Sequence, residues 1–323
     1  MTGLLSYLVF FLIQALVFAV VCLGLNLQWG YTGLFNIGVS GFYLVGAYAY
    51  ALLCGPPHAG IVGGLQLPFP IGLAGSMVAA GAVAFIVGIP TLRLREDYLA
   101  IVTIGIGSTL QLIALNANAL TGGSRGITDI PRPLPGLVDG VFARNLLLLA
   151  LVMIVVVLLY AALEAMVRSP WGRVLKAIRE DEQAAESLGK DAFGYRLQSF
   201  VIGSAVMGLG GALYASFIGY ISPEDFMPIL TFQIWSMLIV GGSGNNKGAV
   251  LGAVLMWAIW TASGSVAQAV LPATLQVKGG AAQIILIGVV LMGVLVLRPR
   301  GLIGEEAVVS HGAQLDEAAQ PPR

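Results

Sequence analysis

The chain has little charge, and what charge it has comes late. Asp, Glu, Lys and Arg make up 10% of its 323 residues, and none precedes Arg93. A soluble domain of this size needs a charged surface, so soluble readings are excluded. The formal net charge of zero leaves no electrostatic footprint for nucleic acid. There are two cysteines, Cys22 and Cys54, both in or at the end of apolar runs. Small core residues are expected there, not a disulfide or metal site. The two histidines, His58 and His311, have no Cys, Asp or Glu at ligand spacing, so no metal ligand is assigned. No nucleophile and base pair stands out, and no catalytic residue is assigned. The glycine-rich run 241–248 fails as a phosphate loop, because Asn246 precedes Lys247 and Gly248 stands where a hydroxyl residue is required.

Long apolar runs are abundant. Hydrophobic residues make up 58% of the chain and mean hydropathy is +0.90. Crossing a hydrocarbon core of about 30 Å takes roughly 20 helical residues. Runs of that kind lie at about 4–27, 31–54, 70–90, 98–118, 145–165, 196–219, 228–243, 248–268 and 280–297. Backbone groups in lipid must be satisfied within each span. The expected fold is therefore all-α and polytopic, with about nine (8–10) transmembrane helices. The first run lacks the basic n-region of a cleaved signal peptide and is expected to be a span. Gly55-Pro56-Pro57, Gly122-Gly123 with Pro131, Pro133 and Pro135, and Pro223 mark connections.

Loops rich in Lys and Arg stay cytoplasmic. With the 166–195 loop inside, alternation places 12 of the 16 basic residues on the inner side and 4 (Arg125, Arg132, Arg144, Lys278) on the outer. The N-terminus is then outside and the C-terminus inside. Residues 1–303 are expected to form one transmembrane domain, and 304–323 read as a disordered cytoplasmic tail.

Glycine numbers 43 and concentrates inside the runs. Ser204, Gly208 and Ala212 form a small-residue ridge that permits close helix packing in lipid. Two segments look like interrupted helices, Trp29 to Gly33 and Gly241 to Gly248. They fall in opposite halves, as in transporters built from inverted repeats. No charge falls near the centre of any span, Glu164 near the inner end of the fifth being the nearest. Ion-coupled carriers usually keep such charges, so an ion-coupled secondary carrier is disfavoured.

Thr32, Asn36, Ser40 and Tyr43 recur at i, i+4, i+8 and i+11, which on a helix places them on one face of the second span. That stripe either lines a path for a neutral or zwitterionic solute or binds helices together. Gln14, Thr103, Ser108 and Gln111 can join either role. Arg168 to Arg196 is the charge-dense stretch. Ser169 and Pro170 open a helix and Gly189 ends it. Trp171, Val174, Ile178, Ala185 and Leu188 recur near helical period, giving an apolar face able to dock into another protein.

The segment from Ser169-Pro170-Trp171-Gly172-Arg173 through Ala177-Ile178-Arg179-Glu180-Asp181-Glu182 to Ser187-Leu188-Gly189 resembles the cytoplasmic loop of branched-chain amino acid ABC importer permeases. The likeness continues through Phe200 to Tyr214, Gly219 to Pro223, Gly241 to Gly244 and Arg298-Pro299-Arg300-Gly301-Leu302. Gly33 to Gly38, Leu92 to Arg95 with Tyr98 to Thr103, and Leu120 to Ile127 are similar to the LivM-type branch. Asn36-Ile37-Gly38-Val39 stands where the family usually has Ser-Leu-Gly-His.

The resemblance implies an inner-membrane heterodimer with a second permease, two ATP-binding cassette subunits and a periplasmic binding protein that supplies affinity. It implies no cofactor on this chain, with ATP and Mg held by the partner ATPases. It also implies that Trp171 to Gly189 couples to the ATPase, through Trp171, Arg173, Ile178, Arg179, Glu180, Asp181, Glu182, Ala184, Ala185, Leu188 and Gly189. Thr32, Asn36, Ser40, Tyr43, Thr103 and Ser108 are the candidate path residues. Branched-chain or other small neutral amino acids are the expected cargo. Urea or another small polar solute in the same family remains the alternative.

Overall fold

A computed structural model describes residues 2–58, 60–133, 140–270 and 279–305. Pro135, Lys278, His311, Arg323 and the tail beyond Glu305 lie outside the described residues. The apolar runs become helices: α1 Thr2–Leu25, α2 Val39–Cys54, α3 Phe69–Thr91, α4 Glu96–Asn116, α6 Val141–Arg168, α9 Ala192–Ile218, α10 Pro228–Gly241, α11 Asn246–Val270 and α12 Gly279–Leu297. Short helices α5 Asn118–Thr121, α7 Pro170–Glu180 and α8 Glu182–Ser187 connect them. Among the described residues the only extended pairing is one antiparallel bridge, Ile127 with Ile221, which joins the two loops flanking α4 and α10.

Among the described residues, seven helices are long and apolar enough to cross a membrane. α2 and α10, with 16 and 14 residues, are not. At 1.5 Å per residue they reach roughly 24 and 21 Å, short of a ~30 Å core. The expected second span from residue 31 is corrected accordingly, because helix begins only at Val39. Its first eight residues are irregular, for reasons given below.

α1 and α9 are the buried centre, with α2 and α3 packed along α9. Glycine makes that packing close. A Cβ on Gly46 of α2 would lie 2.0 Å from the Gly208 carbonyl oxygen and 2.3 Å from its Cα, so the two backbones touch. Gly208 belongs to the small-residue ridge, and its other side rests on Ser76 and Ala80 of α3. α12 lies at the opposite extreme, packing chiefly against α10 and α11 with many of its apolar side chains exposed.

Candidate functional site

Asn26 and Gln28 are amides in an apolar run, and both are fully buried. A buried amide needs partners, and the fold is arranged to supply them. α1 ends in a π turn over Asn26–Gly30 that widens the last turn, with the Tyr31 amide reaching back to the Asn26 carbonyl. π turns of this kind often mark functional positions. Gln28 Nε2 donates to the Phe200 carbonyl at 2.8 Å and to Ser204 Oγ at 3.0 Å, while its Oε1 accepts from Asn36 Nδ2 at 2.8 Å. Asn36 Oδ1 in turn accepts from the Gly38 amide. With Gly33 at φ +76°, this side-chain ladder replaces helix over residues 31–38.

The second glycine-broken segment meets the first. Asn26 Nδ2 donates to Asn246 Oδ1 at 3.0 Å, and the Gly244 amide donates to Asn26 Oδ1 at 2.9 Å. Asn246 Nδ2 also donates to Glu164 Oε2 at 2.9 Å, which ties α6 to the same junction. A Cβ on Gly30 would sit 2.4 Å from the Gly244 nitrogen, so no side chain fits between the two breaks. Residues 218 or more apart in sequence thus share one polar junction at the ends of α1, α10 and α11.

Beside this junction lies a cavity of about 1560 Å³. One wall is a cluster of Trp29, Phe35 and Trp235, with ring centroids 4.9–5.4 Å apart, and Trp235 Nε1 donates to the Asn36 carbonyl. Glu164, Gln233 and Trp260 also face it.

Of the six candidate path residues, the four expected to form a stripe, Thr32, Asn36, Ser40 and Tyr43, do not share one helix face. Thr32 and Asn36 are in the irregular segment, so helical spacing never applies to them. Thr32 Oγ1 pairs with Ser199 Oγ and the Leu27 carbonyl. Thr231 Oγ1 accepts from the Ser40 amide, and Tyr43 packs its ring on Tyr214 and Phe226. Thr103 Oγ1 accepts from the Ile37 amide, and Ser108 is half-buried on α4. None of the six lines the cavity.

The charge-dense segment also departs from one continuous helix. Ser169 precedes Pro170 at the start of α7, but its hydroxyl donates back to Met166 and caps nothing. Asp181 breaks the helix by adopting an extended backbone and accepting from the Ala184 amide as the cap of α8. The break folds Ala185 back onto Ile178 and Ala192, with Val174 and Tyr195 alongside. The face expected to dock elsewhere is thus largely buried in this chain. Trp171 donates to Gln198 Oε1, and Arg196 Nη1 lies 2.9 Å from both oxygens of Glu182. Arg173, Glu180 and Ala184 are exposed, as is Gly189, which follows α8 at φ +76°. Leu188 is 81% exposed, an apolar knob at the tip.

Arg179 connects this segment to the junction. It donates through Nη1 to the Gly30 carbonyl, at the π turn, and through Nη2 to Glu305 Oε2 at 2.8 Å. Lys176 Nζ holds the other Glu305 oxygen at 2.8 Å. Burial alone would raise the Glu305 carboxyl, but the two cations outweigh it and hold it below the usual carboxylate range. Asn26, Gln28, Asn246 and Glu305 are absent from the sequence-based candidates. Two amides interrupting an apolar run at Asn26 and Gln28 are the signal that points to the junction.

Residues 7–295 match the family described as branched-chain amino acid transport system / permease component. The chain is 36% identical over 262 residues to the high-affinity branched-chain amino acid transport system permease protein LivM of Escherichia coli, covering 75% of this chain and 60% of that protein. It thus spans less than two thirds of that relative's length. A probable branched-chain amino acid transport permease protein LivM of Methanocaldococcus jannaschii is 30% identical over 322 residues, covering 90% of this chain and 91% of that one. The Escherichia coli permease protein LivH is 26% identical over 251 residues, covering 74% and 79%. No solved structure matches the chain. A family match across nearly the whole length, on a polytopic helical fold, places this chain in the family of branched-chain amino acid transport system permease components.

Proposed function

We propose that the chain is the membrane-spanning permease subunit of an ATP-driven ABC importer, translocating branched-chain or other small neutral amino acids delivered by a periplasmic binding protein. It works as a heterodimer with a second permease, on two ATP-binding cassette subunits that hold ATP and Mg, in the bacterial inner membrane. The 12 against 4 distribution of basic residues supports a periplasmic N-terminus and a cytoplasmic C-terminus. The names of the LivM and LivH relatives support the cargo and the second permease.

The observation that carries the reading is the Arg179 bond to the Gly30 carbonyl. It joins a cytoplasmic helix pair to the one place where the central helix is broken. ATP binding biases a two-state equilibrium by drawing the cassettes together. Docked at Leu188 and the exposed residues around it, they displace α7 and α8. Arg179 passes that displacement to the π turn, and the Asn26–Asn246 bond passes it to α10 and α11. The cavity beside these elements opens and closes in step.

The test is ATP-dependent uptake in proteoliposomes holding the chain, its candidate partner permease, the cassettes and the binding protein. Leu188→Asp removes an exposed contact without touching the core, so the protein folds while uptake is lost. Uptake by this chain alone, or without ATP, would replace the importer with a carrier or channel.

A further inference from the structure

Residues 298–305 form a strap across the turn between α10 and α11. The Leu302 amide donates to the Val240 carbonyl at 3.0 Å and the Ile303 amide to the Gly241 carbonyl at 2.9 Å, satisfying carbonyls that the end of α10 leaves open. Asn245 Nδ2 donates to the Gly304 carbonyl. The glycine-rich turn is cut to admit the strap. A Cβ on Gly242 would lie 2.3 Å from the Ile303 oxygen, and one on Gly248 2.8 Å from the same atom. The strap ends at Glu305, whose two oxygens are divided between Lys176 and Arg179 of α7.

We propose that Glu305 is a positioning residue for coupling, aiming the Arg179 guanidinium at the Gly30 carbonyl and binding α7 to the α10–α11 turn; the proposal rests on the importer reading above. A guanidinium is a rigid fork, so fixing one nitrogen directs the other. Freed of Glu305, Arg179 keeps a single neutral partner and can turn toward Glu164 and Glu180, which face the same cavity. α7 would then move without the break in α1 following it. Glu305 acts through the two cations it holds.

The complete assembly carrying E305Q, which keeps the side chain's size and loses its charge, is compared with E305D and wild type. ATP hydrolysis by E305Q stays within about twofold of wild type, while solute moved per ATP falls roughly tenfold, within the usual span of coupling energies. E305D recovers most of the loss. In the detergent-solubilised chain, E305Q speeds hydrogen exchange at the Leu302 and Ile303 amides and in the last turn of α7. A parallel fall in hydrolysis and uptake marks a merely structural role and overturns the proposal, as does an unchanged ratio or unchanged exchange. A wild-type assembly with no ATP-dependent uptake overturns the importer reading and this proposal with it.

Discussion

Gly46→Ala adds one methyl group where α2 and α9 cross. The new Cβ would start 2.3 Å from the Gly208 Cα, whereas ordinary contact begins at 3.4 Å, so the helices must part by about 1.1 Å. A gap of that size forfeits up to about half of each well of 0.1–0.2 kcal/mol, and over some 50 atom pairs the loss is about 3 kcal/mol. The better helix propensity of Ala returns about 1 kcal/mol, leaving a net cost near 2 kcal/mol. At roughly 2–4 °C per kcal/mol, thermal unfolding in detergent, followed by tryptophan fluorescence, falls by about 5 °C. Gly105→Ala on α4 is the control, because its Cβ meets nothing within 4 Å. That variant keeps or slightly raises the midpoint. A Gly46→Ala midpoint equal to that of Gly105→Ala would refute the backbone contact between α2 and α9.

Gln28→Ala removes three hydrogen bonds at about 0.6 kcal/mol each and strips Asn36 of a partner, so stability falls by about 2 kcal/mol in denaturant titration. Asn246→Ala disconnects Asn26 and Glu164 from each other, and amide exchange at Gly244 accelerates while that in α3 does not change. Glu182→Lys sets a cation against the largely buried Arg196, which loosens α8; Glu182 itself is exposed, so the new ammonium stays solvated and global stability falls by about 1 kcal/mol, whereas uptake drops. The Glu305 carboxyl lies below its unfolded value, so the contribution of its ion pairs to the strap is complete at neutral pH and is lost only as pH falls below about 4.3 and through the folded pKa. Protection of the Leu302 amide, corrected for intrinsic exchange, follows that course.

The helices were readable because lipid makes length and hydropathy decisive, and each apolar run from residue 70 onward lies within a helix to within a few residues. The region before that was misread at one place. Thr32, Asn36, Ser40 and Tyr43 keep helical spacing, but Gly33 and the Asn36 side chain favour a local ladder over helix, and spacing carries no information about a ladder that closes on Gln28. Both interrupted helices were visible as glycine runs, yet their meeting through Asn26 and Asn246 depends on tertiary packing alone. In the charge-dense segment the apolar period runs through Asp181, where a capping bond outweighs continuation of the helix.

The placement of α1 has a consequence for how the chain is made. Gln28 finds its hydroxyl partner Ser204 only 176 residues further on. At 5–20 residues per second, the ribosome needs roughly 10–35 s to deliver it. Throughout that interval the end of α1 carries the Asn26 amide and the Gln28 Nε2 group without the partners that the later helices supply. Translation stalled before α9 therefore leaves those groups without their long-range partners in the nascent chain.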